Sequence, residues 1–210
     1  MISLLIADDH VLFREGLKQI LARHKEIRVV DEAGSGNEAM QKMLARHYDL
    51  VLLDISMPGR SGLDILGEIR KERPDLPVLM LSMHPEEQYA VRVLKAGASG
   101  YLTKESAASE LIHAIKKVAS GGKYISASVA ERLADAIEDD FSGPPHQTLS
   151  NREFQVMKML AAGKTLKEIA EDLILSEKTI TTYRARILEK MKLRNNVELS
   201  HYAIRHKLLE

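Results

Sequence analysis

Residues Leu50 to Leu53 are continuously apolar and run straight into Asp54, with Pro58, Gly59 and Gly62 following closely. An apolar run this short, without polar alternation, suits a strand covered on both faces, the centre of a parallel α/β sheet. In open α/β sheets ligands collect just beyond the carboxyl ends of the strands, so Asp54 stands where chemistry gathers. An Asp in that place also serves as a turn cap. Its role therefore depends on what the other strand ends bring to it.

Around this run, short apolar segments alternate with helical patterns through residue 122. Strands are expected near Ser3 to Ala7, Arg28 to Ala33, Leu50 to Leu53, Val78 to Ser82 and Gly100 to Thr103. Between them Leu12, Gly16, Leu17, Ile20 and Leu21, or Leu63, Leu66 and Ile69, recur at intervals that suit amphipathic helices. Five βα units predict a flavodoxin-like, doubly wound parallel sheet over 1–122. Its last helix is expected from about Ser106, with Leu111, Ile112, Ile115 and Val118 apolar, to the Gly121-Gly122 stop. A linker over 123–147 follows, with a short helix carrying Val129, Leu133, Ala134 and Ile137, then an acidic run from Glu138 that is rich in Gly and Pro.

From 148 to 210 the pattern is helical and well punctuated. Ser150-Asn151-Arg152-Glu153 and Thr165-Leu166-Lys167-Glu168 have capping-box spacing, and Ser176 precedes a third helical run. Helices are expected at about Asn151 to Ala161, Leu166 to Leu173, Glu177 to Met191 and Val197 to His206. Ile169, Ala170, Leu173, Ile180, Ile187 and Met191 would form their core. Four short helices with tight turns predict a helix-turn-helix module. The formal charge of the 210 residues is zero, yet residues 148–210 carry 12 Lys and Arg against 8 Asp and Glu, leaving 18 against 22 before them. That basic surplus points weakly to nucleic acid. The chain has no cysteine, which excludes disulfides, thiolate metal sites and a cysteine nucleophile. The apolar opening stops at Asp8-Asp9, too short for a signal or a spanning helix, so a cytoplasmic protein without a membrane association is expected.

Asp8 and Asp9 follow the first strand as Asp54 follows the third, and in a doubly wound sheet those strands are neighbours. Three converging carboxylates repel one another unless a hard cation sits among them, and oxygen ligands at this charge suit Mg²⁺. Ser82 ends the fourth strand and Lys104 follows the fifth. A hydroxyl and an ammonium in the same crevice are what a transferred phosphoryl group needs for its charged oxygens.

With these residues in place, 1–122 resembles the receiver domain of a two-component response regulator, the stretch Gly97-Ala98-Ser99-Gly100-Tyr101-Leu102-Thr103-Lys104 included. Residues 148–210, with Leu149-Ser150-Asn151-Arg152-Glu153, resemble the LuxR-type DNA-binding domain of the NarL/FixJ family. The resemblance implies that Asp54 accepts a phosphoryl group from a sensor histidine kinase. It also implies that Asp8, Asp9, Asp54 and the Ser56 carbonyl hold Mg²⁺, that Ser82 and Lys104 engage the phosphoryl group, and that Tyr101 reorients. Family members often carry Lys and His where this chain has Thr181 and Tyr183, so the identity of the DNA site is not carried over.

Helical geometry predicts the reading face instead. With Ile180 as the centre of the buried stripe, Ile187 and Met191 lie within about 20° and Tyr183 about 60° away. Lys178, Thr182, Ala185, Arg186 and Glu189 lie opposite, Thr181 at the flank, and Arg184 only about 40° from the buried centre. Lys178 and Arg184 are expected to position the backbone, the Arg184 stem packing while its head reaches a phosphate. Thr181, Thr182 and Ala185 would present methyls and a hydroxyl to base edges, and Arg186 is the candidate for reading guanine. Two such helices on a homodimer call for a roughly palindromic site. Two rivals are a small-molecule phosphatase using Asp54, which would need a second Asp where Ser56 stands, and a four-helix tail that binds protein.

Overall fold

The structure is a computed structural model that describes residues 1–126, 129–131 and 144–209, the side chains of Glu87 and Gln88 excepted. The chain divides into two compact units, Met1–Asp135 and Ala136–Glu210. The expected linker residues Leu133, Ala134, Ile137 and 138–143 lie outside the described residues.

In the first unit, β1 (Ile2–Ala7), β2 (Ile27–Ala33), β3 (Leu50–Asp54), β4 (Val78–Ser82) and β5 (Gly100–Thr103) form one parallel sheet in the order β2-β1-β3-β4-β5. Helices α1 (Val11–Leu21), α2 (Gly36–Ala45), α3 (Gly62–Glu72), α4 (Glu86–Lys95) and α5 (Ala108–Ala119) connect and follow them. Leu50, Val51, Leu52 and Leu53 are each fully buried, the observation expected of a strand covered on both faces. At roughly 1.5–3 kcal/mol for each large apolar side chain removed from water, β3 alone supplies much of the driving force for closing the sheet. One side of that core joins Leu4 and Ile6 of β1 and Leu50 and Leu52 of β3 to Leu17 and Leu21 of α1 and to Ile112, Ile115 and Val118 of α5.

The register fixes the functional end. Ala7 stands opposite Leu53, Asp54 opposite Leu81 and Ser82 opposite Thr103. Asp8 and Asp54 therefore emerge from β1 and β3 at one level, Ser82 ends β4 one residue further along, and Lys104 follows β5 one residue beyond that, so all four stand at the carboxyl end of the sheet. α3 then leaves from a full capping box, in which Ser61 accepts from the Asp64 amide and the Asp64 carboxylate accepts from the Ser61 amide. Gly59 supports that turn with φ 76°, in the left-handed region open to glycine.

Leu12 departs from expectation: it is 88% exposed, not part of the α1 core. Counted from Leu21 it lies about 180° around the helix, so Phe13, not Leu12, completes the inward stripe with Leu17, Ile20 and Leu21. α5 begins at Ala108, two residues after Ser106, because Ser106 closes a turn onto Thr103, its amide donating to the Thr103 carbonyl at 3.1 Å.

The second unit holds α6 (Asn151–Ala161), α7 (Leu166–Leu173), α8 (Glu177–Met191) and α9 (Asn196–Arg205). Both capping boxes read from the sequence are formed, and Ser176 caps α8 by accepting from the Thr179 amide. α9 starts one residue earlier than expected because Asn195 caps it, its side chain accepting from the Glu198 amide at 3.0 Å. Pro145–Thr148, mostly assigned to the linker by composition, form a 3₁₀ turn, with Pro145 pre-set for its first position. His146 there lies 2.8 Å through Nδ1 from the Tyr202 hydroxyl and rests near the Phe154 ring, an anchoring no composition argument foresees.

Gly62 is the tightest backbone contact beside the crevice: a Cβ added there would sit 2.0 Å from the Asp54 carbonyl oxygen. Gly67, in the same helix, has open space around its Cβ direction. Gly62→Ala is expected to destabilise the first unit by about 3 kcal/mol or more, whereas Gly67→Ala should be neutral or stabilising by up to about 1 kcal/mol. Urea unfolding of the two full-length variants checks the contrast, and equal midpoints would refute the close-approach account.

Candidate functional site

The crevice at the carboxyl end of the sheet gathers residues from β1, β3, β4 and β5. Asp8 is fully buried, Asp54 is 1% exposed and Ser82 is fully buried. Lys104 points its Nζ between the two carboxylates, 2.7 Å from Asp8 Oδ2 and 3.1 Å from Asp54 Oδ2, with its own side chain 4% exposed. The ammonium lies over the Phe13 ring, Nζ 4.9 Å from its centroid. Asp9 lies at the mouth, 29% exposed.

His10 joins this group. Its Nδ1 is 3.1 Å from Asp8 Oδ1 and 3.0 Å from Asp9 Oδ1, and its backbone amide donates to Asp8 Oδ1 at 2.8 Å. One ligand atom from each of Asp8, Asp9, His10 and Asp54 lies within 4.8 Å of the others. Buried oxygens Asp8 Oδ2, Asp9 Oδ1 and both oxygens of Asp54 meet no well-aligned hydrogen-bond donor among the described residues. Lys104 lies at ion-pair distance from both Asp8 and Asp54.

Burial, and after it the Asp8 charge, pushes the Asp54 carboxyl up to about 6, against the opposing pull of Lys104 and the Ser56 amide. The crevice therefore holds more negative charge than its donors satisfy. Carboxylates packed this way repel one another until a cation or a proton enters. The donor set of three carboxylates with unmet buried oxygens fits a hard divalent ion.

Ser82 and Tyr101 meet at one residue. Ser82 Oγ accepts from the His84 amide at 3.0 Å, and the Tyr101 hydroxyl donates to the His84 carbonyl at 2.6 Å. Tyr101 is 2% exposed, so the ring expected to turn inward already lies inside. The sequence reading missed His10, Phe13 and His84. His10 carried a usable signal, since a ligating residue type directly follows the acid pair. Phe13 and His84 act through packing and main-chain atoms, which no motif records.

The second candidate face is α8. Lys178, Thr181, Thr182, Ala185 and Arg186 are exposed, while Ile180, Ile187 and Met191 are buried, as the periodicity requires. Lys178, Thr182 and Arg186 share a shallow hollow of about 300 Å³ with Ser176, Thr179 and Tyr183. The Thr181 and Thr182 hydroxyls donate back to the Glu177 and Lys178 carbonyls at 2.9 and 3.0 Å. They leave methyls and oxygen lone pairs on the surface instead of free donors. Arg184 is half-buried, and its Nε donates to Asn196 Oδ1 at 2.8 Å, so α9 orients its guanidinium.

The raised Asp54 carboxyl carries a stability consequence. Because its folded-state value lies above that of the unfolded chain, ionising Asp54 opposes folding. The penalty grows as pH rises from about 4 to 6 and is fully present above that. Asp54→Asn should therefore stabilise the metal-free first unit at pH 7.5, by at most roughly 3 kcal/mol. The gain should vanish near pH 4. Thermal unfolding in chelator across that range checks it, and a pH-independent difference would contradict the charge argument.

Residues 4–116 match the response regulator receiver domain, and residues 147–203 match the bacterial regulatory proteins of the luxR family. The chain is 41% identical over 209 residues to the response regulator UvrY of Escherichia coli, covering 99% of this chain and 96% of that protein. It is 37% identical over 210 residues to the response regulator GacA of Pseudomonas protegens, covering 100% and 99%. Among solved structures, RcsB of Salmonella enterica serovar Typhimurium, bound to promoter DNA in the presence of a phosphomimetic, superposes with TM-score 0.68 at 25% identity. That match covers 96% of this chain and 97% of the RcsB chain. No helix among the described residues is long and apolar enough to cross a membrane. The phosphatase alternative falls with these matches, and the chain belongs to the NarL/FixJ-family two-component response regulators, transcription regulators rather than enzymes, in which a receiver domain accompanies a LuxR-type DNA-binding domain.

Proposed function

We propose that this response regulator is switched by phosphorylation of Asp54 from a sensor histidine kinase in the cytoplasm, and that the change is relayed to homodimerisation and promoter binding. The observation that carries the reading is a buried carboxylate, Asp54, with unmet oxygens and a buried ammonium at 3.1 Å. In the transfer an Asp54 oxygen attacks the phosphorus of a phosphohistidine. The new O–P bond forms as the N–P bond breaks, and the departing imidazole keeps the electron pair and takes a proton from solvent. Lys104 pairs with charge on the equatorial oxygens, leaving Asp8 to do so, and the Ser82 hydroxyl donates to one of them. Asp8, Asp9, Asp54 and the Ser56 carbonyl would hold Mg²⁺, which when bound neutralises charge on both the acceptor and the phosphoryl group.

The relay follows from the shared contact at His84. A rotation of Ser82 that carries its hydroxyl to a phosphoryl oxygen draws its Oγ away from the His84 amide. Capture therefore loosens the loop whose carbonyl anchors Tyr101. Because Tyr101 is already inside, the switch is a re-anchoring of this loop and of α4 behind it, not an inward swing of the ring. Such a shift needs only a difference in contact free energy between the two states. Asp54→Asn should abolish a Mg²⁺-dependent phosphoryl adduct seen by intact-mass spectrometry with acetyl phosphate. An adduct that persists and maps to another residue would overturn the acceptor. Phosphorylated Ser82→Ala should dimerise and bind DNA more weakly than phosphorylated wild type, with equality counting against the relay.

On the DNA side, α8 is the major-groove helix: Arg186 reads a guanine edge, Thr181, Thr182 and Ala185 contact bases through methyls and lone pairs, and Lys178 and Arg184 hold phosphates. Two-fold pairing of these helices calls for half-sites about one helical turn apart on a roughly palindromic promoter site. Selection of sites from random duplexes is expected to lose one base preference per half-site in Arg186→Ala, with a penalty of about 1–3 kcal/mol on the wild-type site. An unchanged consensus with uniformly lower affinity would reduce Arg186 to a phosphate contact. A changed consensus in Lys178→Ala would overturn the assignment of the face.

A further inference from the structure

We infer that Asn196 is a positioning residue for DNA binding: it holds the Arg184 guanidinium at the rim of α8 so that the two terminal nitrogens form a preset fork for a backbone phosphate. The inference rests on the reading of α8 as the major-groove helix and adds to it the residue that prepares one of its phosphate contacts. Arg184 stands about 40° from the buried centre of α8, and both it and Asn196 are half-buried, which puts the pair at the edge of the reading face. Arg184 Nε donates to Asn196 Oδ1 at 2.8 Å. Among the described residues no carboxylate pairs with Arg184, and its Nη1 and Nη2 meet no acceptor. One nitrogen is anchored, and the other two are left to bind.

The anchor is itself fixed. Asn196 opens α9, whose start is held by the Asn195 side chain accepting from the Glu198 amide at 3.0 Å and by the Glu198 carboxylate accepting from the Arg194 amide at 2.8 Å. α9 packs through the buried Leu199 and Ala203, and the Ser200 hydroxyl donates to the Ala161 carbonyl at the end of α6 at 3.0 Å. α8 closes at Lys192 with φ 54°, and the Leu193 amide donates to the Leu188 carbonyl at 2.9 Å, so the turn between the two helices is set as well. Because a guanidinium is planar, a hydrogen bond at Nε also directs the remaining two nitrogens. A neutral amide suits this task, since a carboxylate in its place would compete with the phosphate for the same cation. An arm ordered in the free protein leaves less conformational freedom to be lost on DNA.

The test is binding of the full-length protein to a duplex selected by wild type from a random pool, for wild type, Asn196→Ala, Arg184→Ala and the double variant, over a range of salt, with urea midpoints as the folding control. Asn196→Ala is expected to bind about threefold to tenfold more weakly at an unchanged midpoint and an unchanged salt slope, because the charge stays and only its ordering is lost. Arg184→Ala should lower the salt slope by about 1, and adding Asn196→Ala to it should change affinity by less than about twofold. Wild-type affinity in Asn196→Ala, losses that multiply in the double variant, or a loss matched by a fall in the midpoint would overturn the proposal. In the wild-type protein alone, the Arg184 Nε–H resonance should exchange with solvent at least about tenfold more slowly than that of the exposed Arg186. Exchange at the same rate would overturn the holding contact and leave the DNA reading of α8 intact, whereas failure of wild type to bind any duplex would remove that reading and this role with it.

Discussion

The contact on which the structure depends is the buried ammonium of Lys104, shared between Asp8 and Asp54. Two carboxylates at the end of adjacent central strands cannot both be taken out of water without an opposing charge, and breaking such a buried group by removing one partner typically costs about 3–5 kcal/mol. One lysine for these two acids, with Asp9 close by, leaves the crevice stable but short of full compensation. Burial first, and the Asp8 charge after it, raise the Asp54 carboxyl to about 6 against the pull of Lys104. A site in this state gains when a cation enters and when Asp54 acquires a group that Lys104 and Ser82 can bind together. On the proposed reading, the electrostatic tension that burdens the fold is what a phosphoryl group and a metal would relieve.

The tension is delivered to one place by register, not by any local motif. Apolar burial sets β3 against β1 and β4, and the pairing then brings Asp8 and Asp54 level, with Ser82 and Lys104 one and two residues further toward the same end of the sheet. Gly62 lets α3 approach the backbone of Asp54 so closely that the strand end has no room to shift. Rigidity at Asp54 and a hydrogen-bonded hand-off at His84 suit the proposed switch, in which one part is held and the neighbouring part would change its arrangement.

Much of this was legible in the sequence because it rests on period and on strand ends. All five strands and the helices of the second unit fall within a residue or so of the expected bounds, and the four crevice residues with Asp9 followed from counting to the end of each apolar run. What escaped depends on three-dimensional neighbours. Leu12 looks apolar enough for the core but sits on the wrong side of α1, and Phe13 takes its place and supports Lys104. The Arg184 contact to Asn196 and the His146 contact to Tyr202 join residues distant in sequence through side chains that carry no periodic signal.

The most direct measurement of the link between crevice and surface is hydrogen exchange at the His84 amide, followed in the full-length protein with and without Mg²⁺ and a beryllofluoride phosphomimetic. If Ser82 releases that amide when it turns to the phosphoryl position, His84 exchange should accelerate by about tenfold or more, equivalent to about 1.4 kcal/mol of lost protection, while the amides of β3 stay protected. An unchanged or slower His84 amide in the presence of both would show that the crevice is filled without disturbing the loop, and would contradict the relay.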